Sequence, residues 1–228
     1  MVQENHLPPL RIVVVISGNG SNLQAIIDAS QSKLAVEICA VISNRPKAYG
    51  LQRAVIAGIK CHTIDHTEYS GRETFGAKLK QTIDQYNPDL IVLAGFMRVL
   101  SDDFVRNYPG RILNIHPSLL PKYRGLNTHA KAIAANDAYH GASVHFVTET
   151  LDGGPVIVQA RLPILANDNV ESLAQRVQDQ EHKIYVEALQ WLSQRRLIWS
   201  DGALTLDGKP LLQPIVINSE EVNEPQIV

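Results

Sequence analysis

The stretch that decides the fold is RIVVVISGNGSN, at residues 11–22. Its first half, Arg11 to Ile16, is an arginine followed by five apolar β-branched residues, which is typical of a strand covered on both faces. Ser17 to Asn22 is a glycine-rich turn, and helical periodicity follows from Asn22 to Ala29. A buried strand, a glycine turn and a helix in this order indicate a parallel α/β sheet.

The same alternation continues along the chain to about residue 138. It predicts further strands at 36–42, 59–64, 90–94 and 111–115, and helices at 49–57 and 72–86. Beyond it, two strand-like segments at 141–148 and 155–163 are separated by a glycine-rich loop, and helical periodicity returns from Leu173 to Leu192. The predicted fold class is therefore α/β, with a doubly wound, mostly parallel, Rossmann-like sheet, a C-terminal helix and a short tail.

We expect one folded domain over residues 11–200, because the chain shows no internal repeat and no clean linker. Residues 1–10 are polar and proline-bearing, and we expect a flexible leader that lacks the order of a signal peptide. Residues 201–228 are predicted to form a C-terminal hairpin and tail. The turn signals for the hairpin are Asp201-Gly202 and Asp207-Gly208, and the acidic residues from Ser219 onward are expected to be loose.

Composition narrows the class of partner. The 228 residues are 45% hydrophobic and 19% charged, with a net charge of -2, so a nucleic-acid surface is not expected. No apolar run approaches the roughly 20 residues that cross a bilayer, so no membrane partner is expected. Cys39 and Cys61 lack the spacing of a disulfide or zinc site, which favours a cytoplasmic protein without a bound metal. Oligomeric state stays open.

The glycine-rich turn lies where open α/β sheets bind anions. Glycines allow close approach of the backbone, and the free N–H groups of the helix start point at the ligand. The turn lacks the third glycine of a dinucleotide fingerprint and the Gly-Lys-Ser/Thr of a P-loop, so among anions a monophosphate is favoured. A capped helix with a tight turn and no ligand explains this motif equally well.

The segment Leu113 to Pro121 carries the second polar pattern. Asn114 and His116 are two residues apart on a predicted strand, so they project to the same face. An amide donor beside an imidazole suits acyl transfer, because the amide can stabilise an oxyanion while the imidazole carries a proton. Asp152, beside Gly153 and Gly154, is the candidate carboxylate for orienting the histidine. Taken separately, Asp-Gly-Gly is a common turn and a strand-end histidine can be a core residue.

Seven motifs follow one another in a fixed order. They are GNGSN at 18–22, AGFMRVL at 94–100, NIHPSLLP at 114–121, TH at 128–129, SVHFV at 143–147, LDGGP at 151–155 and QEH at 180–182. In order and spacing they resemble the phosphoribosylglycinamide formyltransferase family, from about residue 11 to residue 197. The resemblance therefore covers most of the chain, and it implies the formyltransferase version of the Rossmann-like fold.

The resemblance also implies an activity and roles for residues. The formyl group of 10-formyltetrahydrofolate, the co-substrate, would pass to the amine of glycinamide ribonucleotide in purine biosynthesis, without a metal. The catalytic set would be Asn114, His116 and Asp152. The ribonucleotide would be held by Gly20, Ser21, Asn22, Gln178 and Glu181. The folate would be held by Arg72, Met97, Arg98, Val99, Leu100, Asn114 and His145.

Three other functions remain as alternatives. Formyltetrahydrofolate deformylase resembles the same Asn-x-His and Asp region and passes the formyl group to water, but it usually carries an additional N-terminal domain. Methionyl-tRNA formyltransferase shares Ser-Leu-Leu-Pro and adds a C-terminal domain and a basic surface. A non-catalytic module that binds folate or a sugar phosphate is the third, and the intact Asn114, His116 and Asp152 argue against it.

Overall fold

The computed structural model describes residues 8–200 and 202–219. Within them, the strands in chain order are β1 (Leu10–Ile16), β2 (Val36–Ser43), β3 (Cys61–Thr63), β4 (Leu90–Leu93), β5 (Ile112–His116), β6 (Tyr139–Phe146), β7 (Val156–Pro163), β8 (Leu197–Ser200), β9 (Ala203–Leu206), β10 (Lys209–Pro210) and β11 (Ile215–Asn218). The helices are α1 (Ser21–Ser30), α2 (Tyr49–Ile56), α3 (Arg72–Asp84), α4 (Asp102–Arg106), α5 (Thr128–Ala134) and α6 (Val170–Ser193), with a short 3₁₀ helix at His66–Glu68.

Eight of these strands form one sheet in the order β11-β7-β6-β5-β4-β1-β2-β3. Each neighbouring pair is parallel except β5–β6 and β6–β7, so β6 alone runs against the others. The prediction of a doubly wound, mostly parallel α/β sheet is therefore confirmed. The helices between β1 and β5 supply the crossovers that parallel strands require.

Strand β1 shows why the sheet is covered on both faces. Successive side chains of a strand point to opposite sides. Ile12, Val14 and Ile16 belong to a core cluster that includes side chains of α1 and α6. Val13 and Val15 belong to a second cluster, with side chains of α3 and α4. An uninterrupted β-branched run thus fills two cores at once, and this is the reason that the sequence lacks the alternation of a half-exposed strand.

The longest helix, α6, hydrogen-bonds to two central strands of the sheet. The helix begins at a capping box in which Asn169 accepts from the N–H of Ser172 and the Ser172 hydroxyl accepts from the N–H of Asn169. Further along, the fully buried Tyr185 donates its hydroxyl to the carbonyl of Leu93 at 2.9 Å, and the same oxygen lies 3.1 Å from the carbonyl of Leu113. One side chain of α6 therefore contacts the backbone of both β4 and β5, the strands that lead into Met97 and Asn114.

The C-terminal region differs from the predicted hairpin and tail in two ways. Strands β8, β9 and β10 form a three-stranded antiparallel sheet, with turns at Gly202 and at Asp207-Gly208 as predicted. This sheet packs on the domain, since the ring of Trp199 lies 4.7 Å from that of Phe146. Strand β11 then pairs in parallel with β7 and becomes an edge of the main sheet. The predictions for residues 1–7, for Asp201 and for residues 220–228 fall outside the described residues.

Among the described helices, none is long and apolar enough to cross a membrane.

Candidate active site

The site lies where the direction of strand order reverses. Strand β1 has β2 on one side and β4 on the other, so the chain leaves β1 toward one edge and later returns to the opposite side. Open α/β sheets bind ligands at such a point, outside the carboxyl ends of the strands. The carboxyl ends of β1, β4 and β5 meet here because these three neighbours are parallel.

A cavity of about 780 Å³ opens at this edge, within the size range of small-molecule sites. Thirteen of the fourteen residues predicted for the site line it. They are Gly20, Ser21, Asn22, Met97, Arg98, Val99, Leu100, Asn114, His116, His145, Asp152, Gln178 and Glu181. The cavity thus joins the glycine-rich turn, the strand-end Asn-x-His and the Asp152 loop in one space.

Arg72 is the one predicted site residue that does not line the cavity. It begins α3, is half-exposed, and places its Nε 3.1 Å from Oε1 of Glu73. Phe75 lies one helical turn further along and carries the guanidinium of Arg98 over its ring, 5.2 Å from the centroid. Arg72 is therefore one helical turn from Phe75, the residue that contacts the cavity-lining Arg98.

His116 has an oxygen acceptor at each ring nitrogen. Its Nε2 lies 2.9 Å from the carbonyl of Tyr123, which can only accept, so this nitrogen carries a proton. Its Nδ1 lies 3.5 Å from Oδ2 of Asp152. Asp152 is itself held, since the N–H of Gly125 donates to Oδ2 at 2.8 Å. The carboxylate, only 9% exposed, therefore faces the imidazole from a fixed position.

His145 orients the amide of Asn114. The two residues are cross-strand partners on β5 and β6, and Nδ2 of Asn114 lies 3.1 Å from Nε2 of His145. Burial lowers the pKa of His145. The hydrogen bond to the Phe146 carbonyl and the charge of Asp152 act in the opposite direction but are smaller effects. The neutral ring donates from Nδ1 to the Phe146 carbonyl at 2.9 Å, so Nε2 accepts from Asn114. The second N–H of the amide is left for the cavity.

The glycine-rich turn ends in an uncapped helix start. Gly20 is the N-cap of α1, adopts a left-handed conformation with φ +75°, and provides no side-chain cap. Within the described residues, no acceptor is found for the N–H groups of Gly20, Ser21 and Asn22. Helix α1 is therefore not capped by a side chain, as the alternative explanation of the motif required. Its three unpaired N–H groups could instead bind an anion.

A buried carboxyl lies next to this turn. Glu181 of α6 accepts from Nδ2 of Asn22 at 2.8 Å. Burial raises the pKa of Glu181 to about 7, and the hydrogen bond from Asn22 opposes the shift. The other amide atom of Asn22, Oδ1, is buried without a partner in the described residues. A buried acceptor and a carboxyl beside an anion site together fit a ligand that carries hydroxyl groups.

The segment after β4 forms an apolar wall. Met97 and Val99 are exposed and Leu100 is buried, and the N–H of Met97 donates to the Ser17 hydroxyl at 2.8 Å. That hydroxyl donates in turn to Oδ1 of Asn44 at 2.6 Å. The apolar wall is therefore tied to the residue that opens the glycine-rich turn. Exposed apolar side chains at a cavity mouth suit a flat aromatic ligand.

Sequence reasoning missed several residues of the site. Tyr123 and Gly125 contact His116 and Asp152 through their backbones, and no side-chain pattern signals such contacts. His129 also lines the cavity, and its Nδ1 lies 3.1 Å from Nε2 of buried His140. Burial lowers the pKa of both rings, in His140 to about 4. No cluster of three or more metal-binding side chains occurs among the described residues.

Comparison with known proteins assigns the chain. Residues 10–189 match the family model described as formyl transferase. Phosphoribosylglycinamide formyltransferase of Escherichia coli is 53% identical over 89% of this chain and 96% of its own length. The Haemophilus influenzae protein of the same name is 44% identical over 88% and 95%. A solved phosphoribosylglycinamide formyltransferase from Coxiella burnetii superposes with a TM-score of 0.86, at 56% identity, covering 91% of this chain and 99% of that one.

A Rossmann-like domain whose cavity joins a glycine-rich turn to an amide, an imidazole and a carboxylate, together with these relatives, defines a group-transfer enzyme. The chain belongs to the formyl transferase family and, within it, to the phosphoribosylglycinamide formyltransferases. The resemblance stated from the seven motifs is thereby confirmed.

Proposed function

We propose that this protein transfers the formyl group of 10-formyltetrahydrofolate to the primary amine of glycinamide ribonucleotide. The observation that carries the proposal is the joining of Asn114, His116 and Asp152 with the glycine-rich turn in a single cavity. Membership of the family and the printed names of its relatives support the choice of substrates. Two free thiols, Cys39 and Cys61, support a cytoplasmic enzyme.

The substrates divide the cavity between them. The phosphate of the ribonucleotide binds the N–H groups of Gly20, Ser21 and Asn22, and its hydroxyl-bearing sugar faces Glu181 and Gln178. The pterin of the folate binds along Met97 to Leu100. Arg98 and Arg72 lie toward the carboxylates of the folate's glutamate part. This arrangement brings the acceptor amine and the formyl carbon together at Asn114 and His116. Alignment of the two reactants supplies a large part of the rate enhancement.

The chemical step is a direct attack. The neutral amine forms a bond to the formyl carbon, and the formyl oxygen becomes negative in a tetrahedral intermediate. The free N–H of Asn114 donates to that oxygen, and so does a protonated Nδ1 of His116, which lies 3.5 Å from Oδ2 of Asp152, longer than a hydrogen bond. Nε2 donates to the carbonyl of Tyr123 at 2.9 Å, so Nδ1 is the ring nitrogen that can face the oxyanion, with the Asp152 carboxylate 3.5 Å away. Collapse then breaks the bond to the folate nitrogen.

Asp152 assists the proton transfer that the reaction requires. The attacking nitrogen has to lose a proton and the departing folate nitrogen has to gain one. Asp152 lies against His116 and within 3.8 Å of Nε2 of His145, so its charge holds the imidazolium and can orient a water between the two nitrogens. His145 keeps Asn114 turned toward the oxyanion. The proton is thus moved within the site, and no net acid or base is consumed.

The proposal is tested by an assay of the purified protein with 10-formyltetrahydrofolate. Release of tetrahydrofolate is followed with and without glycinamide ribonucleotide, and the formylated ribonucleotide is identified by mass. We expect turnover only with the ribonucleotide. Equal folate release in its absence would assign a deformylase instead. An inactive protein that still binds 10-formyltetrahydrofolate would assign a binding module.

A further inference from the structure

Helix α2 packs directly against the back of the glycine-rich turn. The N–H of Gly50 donates to the carbonyl of Gly18 at 3.1 Å. A Cβ on Gly20 would stand 2.7 Å from the Cα of Gly50, and a Cβ on Gly50 would stand 2.5 Å from Cδ1 of Ile16. A side chain at Gly20 would collide with backbone, and one at Gly50 would force Ile16 to shift. The close approach therefore brings the first turn of α2 within reach of the turn's backbone.

Arg53, one turn further along α2, binds the same turn through two donors and helix α1 through a third. Its Nε donates to the carbonyl of Asn19 at 2.9 Å, and Nη2 donates to the Asn19 side-chain oxygen at 2.8 Å. Its Nη1 donates to Oε1 of Gln24 in α1 at 3.2 Å. The guanidinium also lies over the ring of Tyr49, 4.9 Å from the centroid. Such a planar fork holds two acceptors of one residue in a defined geometry.

These contacts set the direction of the backbone donors. In a planar trans peptide the C=O and the following N–H point in opposite directions. Helix α2 holds the carbonyls of Gly18 and Asn19, so the N–H groups of Asn19 and Gly20 turn away from α2. The turn lines the cavity on that side, and these N–H groups have no acceptor among the residues that the structure describes. Arg53 thus acts on the N–H of Gly20, one of the three donors proposed for the phosphate, without lining the cavity itself.

We propose that Arg53 is a positioning residue for the substrate phosphate, holding the glycine-rich turn through Asn19 so that its N–H groups converge on the anion. The inference rests on the proposed function, because it takes the phosphate of the ribonucleotide as the ligand of the turn. It goes further by assigning phosphate affinity to a side chain outside the cavity.

The test compares Arg53→Met and Arg53→Lys with Arg11→Met. Arg11 is the matched control, since it binds both oxygens of Glu37 and the carbonyl of Tyr86 at the far end of β1. Kinetic constants are measured with glycinamide ribonucleotide and with the dephosphorylated glycinamide riboside. Binding of inorganic phosphate is measured by calorimetry, and thermal unfolding of each variant shows the loss of stability.

We expect Arg53→Met to raise KM for the ribonucleotide about 10- to 100-fold while kcat stays within about twofold, because a binding contribution common to ground and transition states is lost. The constants for the riboside and for 10-formyltetrahydrofolate should not change, and phosphate binding should weaken by the same factor. Arg53→Lys should fall between, since an ammonium cannot form the planar fork. Arg11→Met should lose stability only.

Two results would overturn the inference. One is an unchanged KM for the ribonucleotide in Arg53→Met when the wild-type protein is active. The other is an equal loss on the riboside, which has no phosphate to lose. A wild-type protein that formylates neither acceptor would contradict the proposed function alone. Phosphate binding then decides on Arg53: weakened binding in Arg53→Met supports the positioning role, and unchanged binding overturns it.

Discussion

Asp152 is the residue on which the polar contacts of the site converge. It accepts from the N–H of Gly125, faces Nδ1 of His116, and lies 3.8 Å from Nε2 of His145. Its backbone has a positive φ of 45°, a conformation that non-glycine residues seldom adopt. A strained backbone at a buried carboxylate indicates that its placement is tied to function.

Asp152→Asn should lower kcat about 10²- to 10⁴-fold, the usual contribution of a positioned acid–base group. The asparagine keeps the shape and can still accept from Gly125, but it removes the charge that holds the imidazolium. KM for both substrates should therefore change little. Steady-state kinetics of purified variants measure both quantities. Asp207→Asn, which breaks the surface pair with Arg196, is the control, and normal turnover in Asp152→Asn would refute the role given to the carboxylate.

Glu181 makes the stability of the protein depend on pH. Burial disfavours the charged form and raises the pKa of Glu181 from its ordinary value of 4.5 to about 7 in the folded protein. The folded state therefore holds the proton more tightly, and stability falls as the pH rises from about 4.5 to 7. Converted at 1.36 kcal/mol per pH unit, the loss is at most about 3 kcal/mol.

Glu181→Gln should remove this dependence. The amide fits the same space and can accept from Asn22, but it cannot ionise. Relative to the wild type, the variant should gain up to about 3 kcal/mol in free energy of unfolding between pH 4.5 and pH 8. Urea titrations at both pH values measure the gain, with Glu187→Gln on the same helix as control. An equal difference from wild type at the two pH values would show that Glu181 does not titrate in this range.

At the scale of elements, α6 connects the sheet to the site. The Tyr185 hydroxyl contacts the carbonyls of Leu93 and Leu113, the residues before the apolar wall and before Asn114. Tyr185→Phe should lower the free energy of unfolding by about 1–2 kcal/mol, the value of a buried hydrogen bond. Chemical denaturation measures the loss. Leu189→Ala on the same helix serves for comparison, since it opens a cavity without touching these carbonyls, and no loss in Tyr185→Phe would mean that the two carbonyls are satisfied without it.

Elements were predictable where the pattern is local. The run Arg11 to Ile16 predicts β1, and the i, i+2 spacing predicts that Asn114 and His116 share a face. Contacts between segments far apart in the sequence were not predictable in this way. The N–H of Gly125 and the carboxylate of Asp152 are 27 residues apart, and Arg53 and Asn19 are 34 apart. Such contacts join a side chain to backbone across the sheet edge, and backbone groups leave no periodic signal in the sequence.

At the scale of the whole molecule, the C-terminal region belongs to the folded domain more than the sequence indicated. Leu197 and Leu204 are buried in the main core cluster, and β11 closes one edge of the main sheet. Strand β11 has only four residues and follows several turns, so its apolar run is too short to be distinguished from a tail in the sequence. We therefore propose that the domain extends through residue 218 rather than ending at residue 200.

Ending the chain at Pro214 tests this extension. The truncation removes β11, its parallel ladder with β7 and the hydrogen bond from Arg161 to Asn218. We expect a loss of about 1–2 kcal/mol in free energy of unfolding from these hydrogen bonds and the partly buried Ile215. The kcat should stay within about twofold, because β7 separates β11 from the strand that carries His145 and distant sites act independently. A chain ending at Ser219 keeps β11 and is the matched control. Equal stability of the two truncated chains would show that β11 adds nothing to the sheet. A large fall in kcat at a temperature where both chains are folded would show instead that this edge shapes the active site.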